Sequence, residues 1–154
     1  MNIIKNITLV EDVTLISLHD SPADPKLLTQ IFQMIYDHGV DVDMISQTPT
    51  QNNITDLSFT VNDDCLGKIL DVSAQLKEAH PEVKMSVRSG NCKLSVFGDE
   101  MRGCPGVALR VFKAINDADA DINLITTSEV DISVLVASLD VDNIIKNIRE
   151  EFSK

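Results

Sequence analysis

Three features of the 154-residue chain predict an α+β fold made of one strand–helix–strand–strand–helix–strand unit used twice. The first is an internal repeat. DPKLLTQIFQMIYDHGVDVDMISQ (24–47) returns eighty positions later as CPGVALRVFKAINDADADINLITT (104–127), pairing Pro25 with Pro105, Phe32 with Phe112, Ile35 with Ile115 and Ile45 with Ile125. Further on, TDLSFTV (55–61) parallels VDISVLV (130–136). The second is a periodicity that switches between strand-like and helix-like runs within each copy. The third is an imbalance at the ends: the second copy stops at its last helix, while NIIKNITLV (2–10) has no role in the first.

The elements follow in order. VTLISL (13–18) reads as a strand. Leu27, Leu28, Ile31, Phe32 and Ile35 then fall on one helical face, and Pro25 suits the first turn, where a missing N–H costs nothing. Strands at 40–46 and 54–61, a helix near 65–79 and, after the His80-Pro81 break, a strand EVKMSVR (82–88) complete the first unit. The second repeats this with KLSVFG (93–98), a helix begun by Pro105 whose face is Val107, Ala108, Val111, Phe112 and Ile115, strands at 121–126 and 130–136, and a helix at 140–152. Its missing last strand is expected from the N-terminal segment, since an unpaired sheet edge is a liability. The predicted units are residues 11–90, and 1–10 plus 91–154. Each is the split βαβ, ferredoxin-like arrangement, with helices on one face of an antiparallel sheet.

Composition narrows the function classes. The net charge of −11 argues against nucleic acid and against anionic membrane surfaces as partners. No apolar run approaches the ~20 residues of a membrane span, and the N-terminus lacks the pattern of a signal peptide. Cys65, Cys92 and Cys104 show no CxxC spacing and are expected as free thiols in the cytoplasm.

No catalytic set stands out. His19, His38 and His80 read as isolated surface residues, Cys104 has no evident base beside it, and neither a metal site nor a cofactor motif is visible. Two stretches carry more. GCPGVA (103–108) offers a helix start where free N–H groups attract a carboxylate and where Gly106 leaves room for a ligand, although a plain loop–helix junction reads the same way. INLITTSEVDISVLV (122–136) sets Thr126, Thr127, Ser128 and Glu129 between two apolar strands without Gly or Pro. Hydroxyls, a carboxylate and backbone N–H groups suit both ends of an amino acid; a polar hairpin turn remains the plainer alternative.

CPGVALRVFKAI followed by INLITTSEVDISVLV, together with DVDMISQTPTQNNITDLSFTV in the first copy, resembles the C-terminal regulatory region of aspartate kinases, which carries two ACT units. The resemblance covers essentially the whole chain and includes the borrowed N-terminal strand. It implies a non-catalytic module that binds an end-product amino acid, lysine or threonine, and controls aspartate phosphorylation in the pathway to lysine, threonine and methionine. It implies no cofactor, a homodimer, and an aspartate kinase catalytic chain as a candidate partner. The chain would then be a fragment, a separately made regulatory subunit or a stand-alone ACT protein. A structural tandem module that binds no amino acid is the alternative. By the resemblance, Gln47, Thr50, Gly106, Ala108, Asp121, Ile122, Ser128 and Glu129 are the effector-binding candidates. Two departures matter: Lys26 stands in the first loop, HDSPADPKLL, where the family has Gly, and Asp121 replaces a frequent Asn. These direct attention to the second unit rather than the first.

Overall fold

The computed structural model describes residues 3–154, so that Asn2, the first residue of the expected N-terminal strand, lies outside the described residues. The described residues form six strands and four helices: β1 (Asn6–Pro22), α1 (Pro25–Asp37), β2 (Ile45–Gln47), β3 (Ile54–Asn62), α2 (Leu66–Ala79), β4 (Lys84–Phe97), α3 (Val107–Asn116), β5 (Leu124–Thr127), β6 (Asp131–Ala137) and α4 (Val141–Phe152). Short 3-10 turns precede α2 and α4, and a third follows β4. Two compact units result, Asp12–Ser89, and Met1–Glu11 with Gly90–Lys154. The α+β class and the antiparallel sheets with a borrowed N-terminal strand are as read from sequence.

In the Asp12–Ser89 unit the strands run in the order β2-β3-β1-β4, and β3 pairs antiparallel with both β1 and β2. Alternation along β1 and β3 turns Ile16, Leu18, Leu57, Phe59 and Val61 toward the helices, where α1 contributes Leu27, Ile31 and Ile35, and α2 contributes Ile69, Val72 and Leu76. Each such side chain contributes roughly 1.5–3 kcal/mol by leaving water, and Phe32 adds a tilted ring contact to Phe59 at 5.8 Å. α1 starts where the sequence suggests: Pro25 is its first residue, and the Asp24 carboxylate accepts the Lys26 N–H at 2.9 Å as a side-chain cap.

The other unit orders its strands β1-β4-β6-β5, with β6 antiparallel to β4 and β5. Leu94, Val96, Ile132, Val134 and Val136 pack against Val107, Val111, Ala114 and Ile115 of α3 and Val141, Ile144 and Ile148 of α4. Ile4 joins this core, and the Lys5 N–H bonds the Phe97 carbonyl at 2.8 Å, so the N-terminal segment belongs to it. The repeat extends to detail: Ser17 and Ser58 pair across β1 and β3 through their hydroxyls at 3.0 Å, as Ser95 and Ser133 do across β4 and β6 at 2.7 Å.

Four sequence expectations are corrected. Of the expected N-terminal strand, residues 6–10 run together with 13–18 in β1 as one strand, and 84–88 joins 93–97 in β4. In each the chain passes between units at a residue of positive φ, Asp12 at 57° and Gly90 at 78°, which redirects the strand without ending it. β2 is three residues long instead of seven: Asp43 and Met44 both bond Thr60, the Asp43 N–H donating to its carbonyl at 3.1 Å and the Met44 carbonyl accepting its N–H at 3.0 Å, which interrupts the regular ladder as a bulge does. Pro105 lies outside α3: Gly106, at φ 91°, caps the helix in a left-handed conformation, so it begins at Val107. Along α3, Val107, Val111 and Ile115 are buried as expected, whereas Ala108 is exposed and Ala114 joins the core in its place.

Candidate functional site

A cleft of ≈ 180 Å³ opens in the Asp12–Ser89 unit, where the loop after β1, the start of α1 and the edge hairpin meet. Its apolar wall is Leu27, Leu28 and Ile31 from α1 with Leu57 from β3. Its polar lining is Ser21, Asp24, Gln47, Thr50 and Thr55. Of the eight sequence candidates, Gln47 and Thr50 are brought together here.

The hairpin is held open in a defined way. Asn52 and Asn53, with φ of 52° and 62°, form a two-residue turn between Gln51 and Ile54, whose backbones exchange two bonds of 3.0 Å. The Asn53 carbonyl then accepts the Ala23 N–H at 2.8 Å and ties the hairpin tip to the loop beside the cleft. The Thr48 hydroxyl accepts the Asp56 N–H, and the Thr55 hydroxyl donates to the Thr48 carbonyl at 2.6 Å, which fixes the strand ends carrying Gln47 and Thr50.

The remaining polar groups are uncommitted. Ser21 is only 3% exposed, yet its hydroxyl has no hydrogen-bond partner among the described residues. Because no enclosed side-chain oxygen or nitrogen goes unpaired among them, that hydroxyl must look into the cleft. The Gln47 amide and the Thr50 hydroxyl are likewise without protein partners among the described residues. At the helix start, Pro25 has no N–H and Asp24 takes that of Lys26, so Leu27 supplies the first-turn donor outside the helical ladder. Lys26 itself is exposed and does not line the cleft, so its bulk does not close it.

The other six candidates lie in the second unit. Gly106 has open space where a Cβ would stand, and its positive φ is the reason for glycine there, not the approach of a neighbour. Asp121 and Ile122 precede β5 instead of beginning it. The Ser128 hydroxyl accepts the Val130 N–H at 3.3 Å inside the turn, and Glu129 is held by Arg102, Nε to Oε2 2.8 Å. The loop after β4 winds into a 3-10 turn, Asp99–Met101, that buries Met101 in the core. Thus, of the six, Ser128 and Glu129 are engaged with the protein itself.

Sequence reading missed Ser21, Asp24 and Thr55. A serine and an aspartate in a Pro-rich loop carry no signal until the register pairs Ser21 with Thr55. It also missed Asn123, whose amide donates to the buried Asn91 side chain at 3.0 Å. No catalytic arrangement appears among the described residues. His19 pairs with Ser86, His38 with the Met34 carbonyl and His80 with Gln30, the cysteines are free thiols, and no three metal-binding side chains cluster.

With this geometry established, comparison with known proteins gives a consistent result. Residues 94–152 match the ACT domain family model. The aspartokinase of Geobacillus stearothermophilus is 27% identical over 97% of this chain and 36% of its own length. The chain thus spans about a third of the curated relatives it matches. The regulatory subunit of aspartate kinase from Thermus thermophilus superposes with a TM-score of 0.86 at 26% identity, covering 97% of this chain and 99% of that one. Aspartate kinase from Synechocystis gives 0.91 at 28% identity, covering 99% of this chain and 28% of that one. Residues 94–152 therefore form an ACT domain, and over nearly its whole length the chain is similar in sequence and fold to the regulatory part of aspartate kinases.

Proposed function

We propose that the chain is an allosteric module that binds an end-product amino acid of the aspartate pathway, lysine or threonine, and thereby controls aspartate phosphorylation by a kinase chain. The observation that carries this reading is the convergence of the uncommitted Ser21, Gln47 and Thr50 side chains on one cleft beside the start of α1. A zwitterion needs donors for its carboxylate and acceptors for its ammonium. The Leu27 N–H, the Ser21 and Thr50 hydroxyls and the Gln47 amide offer both in a site partly shielded from water. Binding that favours one arrangement of the ACT pair over another is what makes such a ligand allosteric.

The proposal includes assembly as a homodimer in the cytoplasm. The outer edges of β2 and β5, and the Leu28, Phe32 and Tyr36 stripe of α1 with Tyr36 76% exposed, support a second copy as a neighbour. The three free thiols suit a reducing compartment.

Thermal melting with single amino acids added tests the reading. An effector at ~100 times its Kd adds ~2.7 kcal/mol of stability, so threonine or lysine at millimolar concentration is expected to raise Tm by several degrees. If neither they nor methionine moves Tm, the purely structural alternative takes its place.

A further inference from the structure

We propose that the N-terminal part of β1 is a docking edge for a second copy of the chain, the two strands pairing antiparallel about a two-fold axis at Thr8. β3 covers β1 only from Val13 onward, where their register begins with Val13 opposite Asn62. Before that point, among the described residues, only β4 lies beside it. The Lys5 N–H bonds the Phe97 carbonyl of β4, so alternation turns the backbone groups of Asn6, Thr8 and Val10 the other way, toward the open side. No loop or helix among the described residues bonds them there, and all three residues are exposed, Val10 by 49%. Nothing blunts this edge: KNITLVE (5–11) holds no Pro and keeps its two charges at its ends.

The edge is complementary to itself. Outward-facing residues must meet outward-facing ones, which makes hydrogen-bonded pairs of Thr8 with Thr8, and of Asn6 with Val10, across the two copies. That register sets Ile7 against Leu9 and Lys5 against Glu11, each twice by symmetry. A slip by two residues would set Lys5 against Leu9, or Glu11 against Ile7. Ile7 packs on the core of its unit, so Lys5, Leu9 and Glu11 share its helix-covered face. On that face a cavity of ≈ 330 Å³ lies between the strand and the end of α4, with Ile148, Arg149 and Phe152 on its far wall. The Arg149 guanidinium has no partner among the described residues, and Lys5 has only the exposed Asp99 carboxylate at 3.5 Å. Leu9 of the second copy meets the apolar part of this cavity, and Glu11 of the second copy meets Lys5 and Arg149. The proposal does not rest on the amino-acid reading.

Sedimentation velocity of the full chain over a range of concentrations, with amide exchange, tests this. Thr8→Pro removes an outward N–H that β4 does not use, which an edge strand tolerates, and is expected to halve the assembled mass. Lys5→Glu or Glu11→Lys alone is expected to weaken self-association by ~10-fold, and the double reversal to restore it to within ~3-fold of the parent. Lys5 and Glu11 of one copy stand about 20 Å apart along an extended strand, so this rescue can come only from pairing between copies. The Asn6, Thr8 and Val10 amides are expected to be protected in the assembly and to lose protection on dilution. Should Thr8→Pro melt early, the charge reversals decide alone. A folded Thr8→Pro of unchanged mass, a double reversal no better than the single ones, or a monomer at every concentration would overturn the proposal.

Discussion

Ser21 holds a hydroxyl that does nothing for its own loop: it is almost wholly buried, without a hydrogen-bond partner among the described residues, and turned into the cleft. A structural serine in such a place would be satisfied by the protein, so removing this oxygen should separate binding from stability. Ser21→Ala is expected to change unfolding free energy by less than ~0.5 kcal/mol and to weaken the amino-acid ligand by ~5–10-fold. Equal binding by the variant, measured by calorimetry, would take Ser21 out of the site. Glu129 is the converse case. Its carboxylate is the group that sequence would choose for a ligand ammonium, yet Arg102 already holds it. Both side chains are mostly exposed, so the pair contributes little to stability. Its consequence is partial neutralisation, since the Arg102 guanidinium already lies against one oxygen of the Glu129 carboxylate.

Among the elements, α4 shows how charge fastens a helix end. Arg110 of α3 lies over the Phe152 ring at 4.1 Å and reaches the Glu151 carboxylate at 3.4 Å. The Lys154 hydrogen bond, ahead of the Lys154 and Lys113 charges and the Arg110 hydrogen bond and against partial desolvation, holds the Glu151 carboxyl below its ordinary value. A carboxyl lowered in the folded state stabilises above its unfolded value and loses that contribution as pH falls through the folded one. Glu151→Gln is therefore expected to flatten the acid side of the stability curve while leaving the neutral side little altered. An unchanged acid limb in melts taken across that range would contradict the assignment. Helices and strands were legible in the sequence because their patterns are local, and the apolar faces of α1 and α3 repeat eighty residues apart. The joins were not legible, because each depends on one backbone angle. A positive φ at Asp12 lets β1 continue where a break was expected, and one at Gly106 moves the start of α3 past Pro105. The cleft was half legible: Gln47 and Thr50 follow from the resemblance, whereas Ser21 enters only through the pairing of β1 with β3.

At the scale of the molecule, the second unit depends on a segment from the opposite end of the chain. Gly98 marks the dependence. Its φ of −169° suits any residue, but a Cβ there would stand 1.9 Å from the Ile3 carbonyl oxygen, so the N-terminal segment could not stay in place. Gly98→Ala is expected to cost at least ~1–3 kcal/mol and to release amide protection in β4 and β6, while the Asp12–Ser89 core stays protected. Uniform loss throughout the chain, or none, would count against a core completed in this way. The two units have diverged under one topology. One keeps a polar cleft with uncommitted groups, while in the other Met101 packs from the corresponding loop into the core and Arg102 holds Glu129. The central claim is that the Asp12–Ser89 unit holds the amino acid, and titration of the isotope-labelled chain with threonine, followed by amide chemical shifts, tests it most directly. The account predicts saturable shifts at Ser21–Leu28 and Gln47–Leu57, with residues 104–129 essentially still; shifts confined to residues 104–129, or no shifts at all, would contradict it.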